Sequence, residues 1–168
     1  MWSAIGYLEL ALFRSLDQAA SRLLHSLHLY PHSSKTRGLL GDLYFQKAVV
    51  AGDAADRRRF LSLAPTNYDE AFKLTTAGSP ETYLYAAALG KVHWQLLDWT
   101  KAISAYEKAL SVCSPQERWI NEETLGRLYA EIKDRTNSVA HFQRAIELAP
   151  ADRRPGIKKL WEQVLATP

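Results

Sequence analysis

The sequence predicts an all-α fold, a solenoid of helix-turn-helix repeats closed by a capping helix. Two amphipathic stretches meet at a tight turn near Leu97-Asp98-Trp99, with apolar residues at three- and four-residue intervals on both sides. The pattern recurs 36 residues later: Leu125-Gly126 follow Leu89-Gly90, Tyr129 follows His93, Phe142 follows Tyr106, and Ala145-Ile146 follow Ala109-Leu110. A helical pair cannot bury both apolar faces alone, so recurrence at a fixed period points to stacked neighbours. With 47% apolar residues, 8 Gly and 7 Pro in 168 residues, the chain is long enough for one domain with a sizeable core.

The elements follow in order. Residues 2–31 read as a degenerate first repeat: Trp2 to Arg14 is apolar nearly all round, and Leu16, Ala19, Ala20, Leu23, Leu24 and Leu27 keep helical spacing until Pro31. Terminal repeats are normally polar on their outer face. This one is not, so Trp2, Ile5 and Phe13 are candidates for contact with a partner or a second copy. Residues 35–79 read as a second, interrupted repeat. Leu40-Gly41 matches Leu89-Gly90, but Asn67-Tyr68-Asp69-Glu70-Ala71-Phe72, resembling the opening of a second helix, arrives about 18 residues late. The intervening insertion, about 51–65, predicts a short extra helix capped by Asp53 and stopped by Pro65. Residues 80–115 and 117–150 are the two regular repeats, closed by Pro115 and Pro150. A final helix over 156–166 carries one apolar stripe, Ile157, Leu160, Trp161, Val164 and Leu165, and reads as the C-terminal cap.

Leu89, Gly90, Ala102, Tyr106, Ala109 and Pro115 in one unit, and Leu125, Gly126, Tyr129, Phe142, Ala145 and Pro150 in the next, resemble the tetratricopeptide repeat family. The departures are Ala86 and Glu122 at the family's early tryptophan, and Ser138 at the small residue that opens a second helix. The resemblance implies a right-handed α-solenoid whose first helices line a concave surface that grips an extended peptide or helix. It also implies a non-enzymatic scaffold, adaptor or assembly factor.

That surface would carry Leu84, Lys91 and Trp94 from one repeat, Glu123 and Arg127 from the next, and Asp42 and Phe45 from the interrupted one. The family's clamp for acidic chaperone C-termini needs Lys, Asn and Arg at places held here by Ala87, Glu123 and Asp42. An amphipathic helix or apolar segment anchored on Phe45 and Trp94 and oriented by Lys91 and Arg127 is the expected ligand. The competing reading packs Trp94 on the adjacent repeat and pairs Lys91 and Arg127 with Glu123 and Glu131. A homo-oligomeric structural subunit joined through the apolar N-terminal helix is the alternative function.

Charge and chemistry narrow the rest. A formal charge of +3 is too small for the concentrated basic face that nucleic acid requires. Arg57-Arg58-Arg59 is a solvated face or a contact for an acidic ligand, with Asp53 and Asp56 beside it. A single cysteine, Cys113, excludes an internal disulfide and suits a reducing compartment, and the N-terminal 13 residues lack a basic leader and are too short to span a bilayer. The expected setting is the cytoplasm. His25, His28 and His32 have no nearby carboxylate or cysteine to complete a metal site, and no phosphate loop or nucleophile elbow is present. No cofactor is expected.

Overall fold

The structure, a computed structural model, describes residues 16–76 and 78–166, and among them every regular element is an α-helix. They are α1 (Leu16–Leu29), α2 (Ser34–Val50), α3 (Ala54–Leu74), α4 (Pro80–Gln95), α5 (Trp99–Val112), α6 (Pro115–Glu131), α7 (Arg135–Leu148) and α8 (Arg154–Ala166). The chain divides into two compact units, Met1–Glu81 and Thr82–Pro168. The first helix expected of the 2–31 repeat, with Trp2, Ile5 and Phe13, lies outside the described residues.

Short polar side chains start the helices. The first amides of a helix lack intrahelical acceptors, and an Asp or Ser oxygen just before them supplies one. Asp98 accepts from the Lys101 amide at 3.3 Å, Asp134 from Asn137 at 3.0 Å and Ser33 from Thr36 at 3.1 Å. At α6, Pro115 occupies the first turn and the Glu117 carboxylate accepts from both the amide (3.1 Å) and the hydroxyl (2.7 Å) of Ser114.

One contact defines each hairpin. A β-carbon built on Gly90 would lie 2.6 Å from the Tyr106 ring, one on Gly126 2.9 Å from Phe142, and one on Gly41 2.7 Å from Tyr68. Only a residue without a side chain lets the paired helix come so close. Around each contact sits the same buried trio on the second helix: Ala64, Tyr68 and Ala71 in α3; Ala102, Tyr106 and Ala109 in α5; Ser138, Phe142 and Ala145 in α7. Tyr106 alone among the nine is only half-buried. Ser138 keeps the role of a small residue by donating its hydroxyl to the Gly126 carbonyl at 2.8 Å.

The interrupted repeat is where the structure departs from the sequence reading. Residues 51–65 do not form a separate element, and Pro65 does not stop one, because α3 runs unbroken from Ala54 to Leu74 with Pro65 inside. Its fixed φ is already helical, and buried Leu61, Ala64, Tyr68 and Ala71 hold the turns on both sides of it. Tyr68 is therefore a mid-helix residue, equivalent to Tyr106. The Gly-to-aromatic separation is 27 residues here against 16 in the regular hairpins, with a three-residue turn in all three. The extra eleven residues are shared between the arms. α2 runs nine residues past Gly41, where α4 and α6 run five past theirs; α3 starts fourteen before Tyr68, where α5 and α7 start seven before their aromatics. Increments of four and seven are close to one and two whole turns, so both arms keep their faces. Asp53 caps α3 as expected, accepting from Ala55 at 2.9 Å and Asp56 at 2.8 Å.

The hairpin turns of the second unit share a second device. Asp98 donates its amide to His93 O (3.0 Å) and Leu97 to Trp94 O (2.9 Å); Asp134 and Lys133 repeat this with Tyr129 O and Ala130 O, both 2.9 Å. These are Schellman caps, whose left-handed residue is ordinarily glycine. Leu97 (φ 59°) and Lys133 (φ 61°) occupy it instead. Their strain, about 1–2 kcal/mol, exceeds glycine's extra unfolded-state entropy, about 0.5–1 kcal/mol, and both side chains are exposed. Leu97→Gly and Lys133→Gly should therefore each raise unfolding free energy by up to about 1 kcal/mol in denaturant titrations. A loss would contradict the strained turn.

At the C-terminus, Ile157 of α8 joins Phe142, Ala145 and Ala149 in one cluster, with Trp119, Leu160, Trp161 and Val164 packed against it. This is the expected capping stripe; the Leu165 side chain lies outside the described residues.

Candidate functional site

In the second unit, α4 and α6 are the first helices of their hairpins. Each turns one face to its partner helix through Leu89-Gly90 or Leu125-Gly126, which leaves the opposite stripe, at i, i+3 and i+7, for another role. Leu84 and Ile120 occupy one register of that stripe and remain 53% and 44% exposed. Three residues later come Ala87 and Glu123, and after a further turn Lys91 and Arg127, both exposed. Asn121 ties the two helices together, donating to the Tyr83 hydroxyl at 3.4 Å and to the Glu117 carbonyl at 3.0 Å.

The Arg127 guanidinium lies 5.2 Å from the Trp94 ring centroid, on its face, and 3.9 Å from the Glu123 carboxylate. Trp94 is half-buried against the cluster of Ala102, Ile103, Leu125 and Leu128. Trp94, Glu123 and Arg127, singled out separately in the sequence, thus form one contiguous unit. Trp94 does pack on the adjacent repeat and Arg127 does approach Glu123, as the competing reading had it, yet Arg127 remains exposed.

The other candidates lie elsewhere. Asp42 and Phe45 belong to the first unit. Asp42 accepts the Tyr68 hydroxyl at 2.6 Å, and Tyr68 is pushed well above the usual phenol range by burial first and then by the Asp42 charge and hydrogen bond. Phe45 is half-buried on α2, and Arg57, Arg58 and Arg59 are exposed near the start of α3. His25, His28 and His32 are exposed. The Cys113 thiol contacts Leu110 O at 3.4 Å, and burial pushes it up. Among the described residues no group of three or more His, Cys, Asp or Glu could hold a metal ion, and no helix is long and apolar enough to cross a membrane.

Sequence reasoning missed a buried polar pair. Glu122 Oε2 is 2.7 Å from His141 Nδ1, both nearly inaccessible, with Arg144 at 3.9 Å. Tyr129 stacks on the imidazole at 5.2 Å and 8° and donates its hydroxyl to Glu107 at 2.9 Å. Burial, then the Glu107 bond, pushes Tyr129 up to about 12. The signal was present: Glu122 stands at the early tryptophan position, and one repeat earlier the same two registers hold buried Ala86 and Ala105.

Residues 123–152 match the family model of the tetratricopeptide repeat. No curated protein matches the chain. Among solved structures, a thermophilic TPR protein of Thermus thermophilus is similar at 19% identity and TM-score 0.64, over 94% of this chain and 75% of that one. The fold is thus that of a tetratricopeptide-repeat protein, a class that generally mediates protein–protein interaction and is generally non-catalytic.

Proposed function

We propose that this chain, which carries a tetratricopeptide repeat and folds as such proteins do, is a non-enzymatic scaffold or adaptor that holds a helical or extended segment of another protein on the α4–α6 face. The observation that carries this reading is the exposed Leu84 and Ile120 at one register, on the same stripe as Arg127 resting on Trp94. Neighbouring helices lie about 8–10 Å apart, and side chains at i and i+7 of a ligand helix are about 10 Å apart. A ligand helix crossing α4 and α6 can therefore seat one apolar residue by each aliphatic side chain. Arg127, held on a ring instead of swinging in water, is placed to receive a carboxylate at modest entropic cost.

Peptides selected from a display library against the full chain should bind at least about tenfold more weakly to Leu84→Asp/Ile120→Asp, as for centrally placed anchors. Arg127→Glu should penalise ligands with an acidic residue and spare their amide counterparts. Selected ligands indifferent to both changes would place the binding surface elsewhere.

A further inference from the structure

The eleven residues that lengthen the α2–α3 hairpin carry more than length. Past the point where a regular hairpin of this chain ends, α2 adds Lys47, Ala48, Val49 and Val50, and α3 adds Ala54 to Phe60 with Arg57, Arg58 and Arg59. The base of this projection is built. Ala48 is buried, Lys47 lies 4.8 Å over the Phe60 ring and also pairs with Asp17 of α1 at 2.5 Å. All eight residues from Gly52 to Arg59 are exposed, where a helix packed on a neighbour would alternate. Val49 and Val50 are 64% and 67% exposed.

We propose that this hairpin tip is a docking point for an anionic membrane surface, with Val49 and Val50 entering the headgroup boundary and Arg57, Arg58 and Arg59 meeting lipid phosphates. Two features select a bilayer. The tip's exposed apolar residues, Val49 and Val50, are aliphatic, and Val is scarce at protein hot spots. By helical rise the added arms extend about 6 Å on α2 and about 10 Å on α3, which matches the roughly 5–10 Å depth of the headgroup boundary. The charge agrees: three arginines face Asp53 and Asp56, and Asp53 is engaged as the α3 cap.

Co-sedimentation of the full chain with phosphatidylcholine vesicles, with and without about one-third phosphatidylserine, tests this. Binding is expected to the anionic vesicles only, and to weaken as salt is raised. Each arginine near such a surface is worth on the order of fivefold. Arg57→Glu/Arg58→Glu/Arg59→Glu should thus lower partitioning by at least about a hundredfold, and Val49→Ser/Val50→Ser should lower it severalfold with charge unchanged. Lys158→Glu/Lys159→Glu on α8 should leave it intact, and far-UV circular dichroism should be the same for all variants. Absence of vesicle binding, equal loss with the α8 variant, no effect of the valine change, or binding to polyglutamate without binding to vesicles would each overturn the proposal.

Discussion

Gly126→Leu is expected to lower unfolding free energy by roughly 3 kcal/mol, at the upper end of overpacking costs. The Phe142 ring lies 2.9 Å from where the new β-carbon would sit and is wholly buried, so neither side chain has room to yield. Gly126→Ala should also destabilise, although alanine brings about 1 kcal/mol of helix propensity, because that gain is smaller than the cost of displacing a packed ring. Gly90→Leu should cost less than Gly126→Leu, since Tyr106 is half-buried and can move in part. The control is Gly156→Ala in α8, where nothing lies within 4 Å and a gain of about 0.5–1 kcal/mol is expected. Denaturant titration of the four variants reads the sign in each case. Loss at Gly156 with none at Gly126 would dissolve the argument.

The second large effect is expected at Glu122 and His141. Removing one member of a buried hydrogen-bonded pair typically costs about 1–3 kcal/mol, and more when the partner left behind is charged. In His141→Ala the Glu122 carboxylate loses its hydrogen-bond partner and keeps Arg144 at 3.9 Å. The preceding repeat shows an apolar solution to the same registers, Ala86 with Ala105. Glu122→Ala/His141→Ala should therefore lose clearly less than the two single changes together. Additive losses in the cycle would mean that the two side chains act independently.

Much of this was legible in the sequence because the residues that fix a hairpin are of rare type and rigid spacing. Gly90 with Tyr106 and Gly126 with Phe142 fell on one offset, and the structure puts each pair in contact. The interrupted repeat was harder. Pro65 and Asp53 look like a stop and a start, and only burial of Ala64 and Tyr68 shows that the helix passes through the proline. Tyr68-x-x-Ala71 repeats Tyr106-x-x-Ala109, a spacing that fixes the register despite the longer hairpin. The placement of Arg127 on Trp94 was beyond sequence reasoning, since charge pattern and periodicity leave an arginine's direction open. Leu97 and Lys133 likewise carry no trace of the left-handed backbone they adopt, because the turn's hydrogen bonds impose it.

The claim on which the rest stands is that three hairpins share one glycine–aromatic contact. Proton NMR of the full chain measures it directly. The α-protons of Gly41, Gly90 and Gly126 should be shifted upfield by the rings they face, with cross-relaxation to Tyr68, Tyr106 and Phe142 respectively. Glycine α-protons at unshifted positions, without cross-peaks to those three rings, would contradict it.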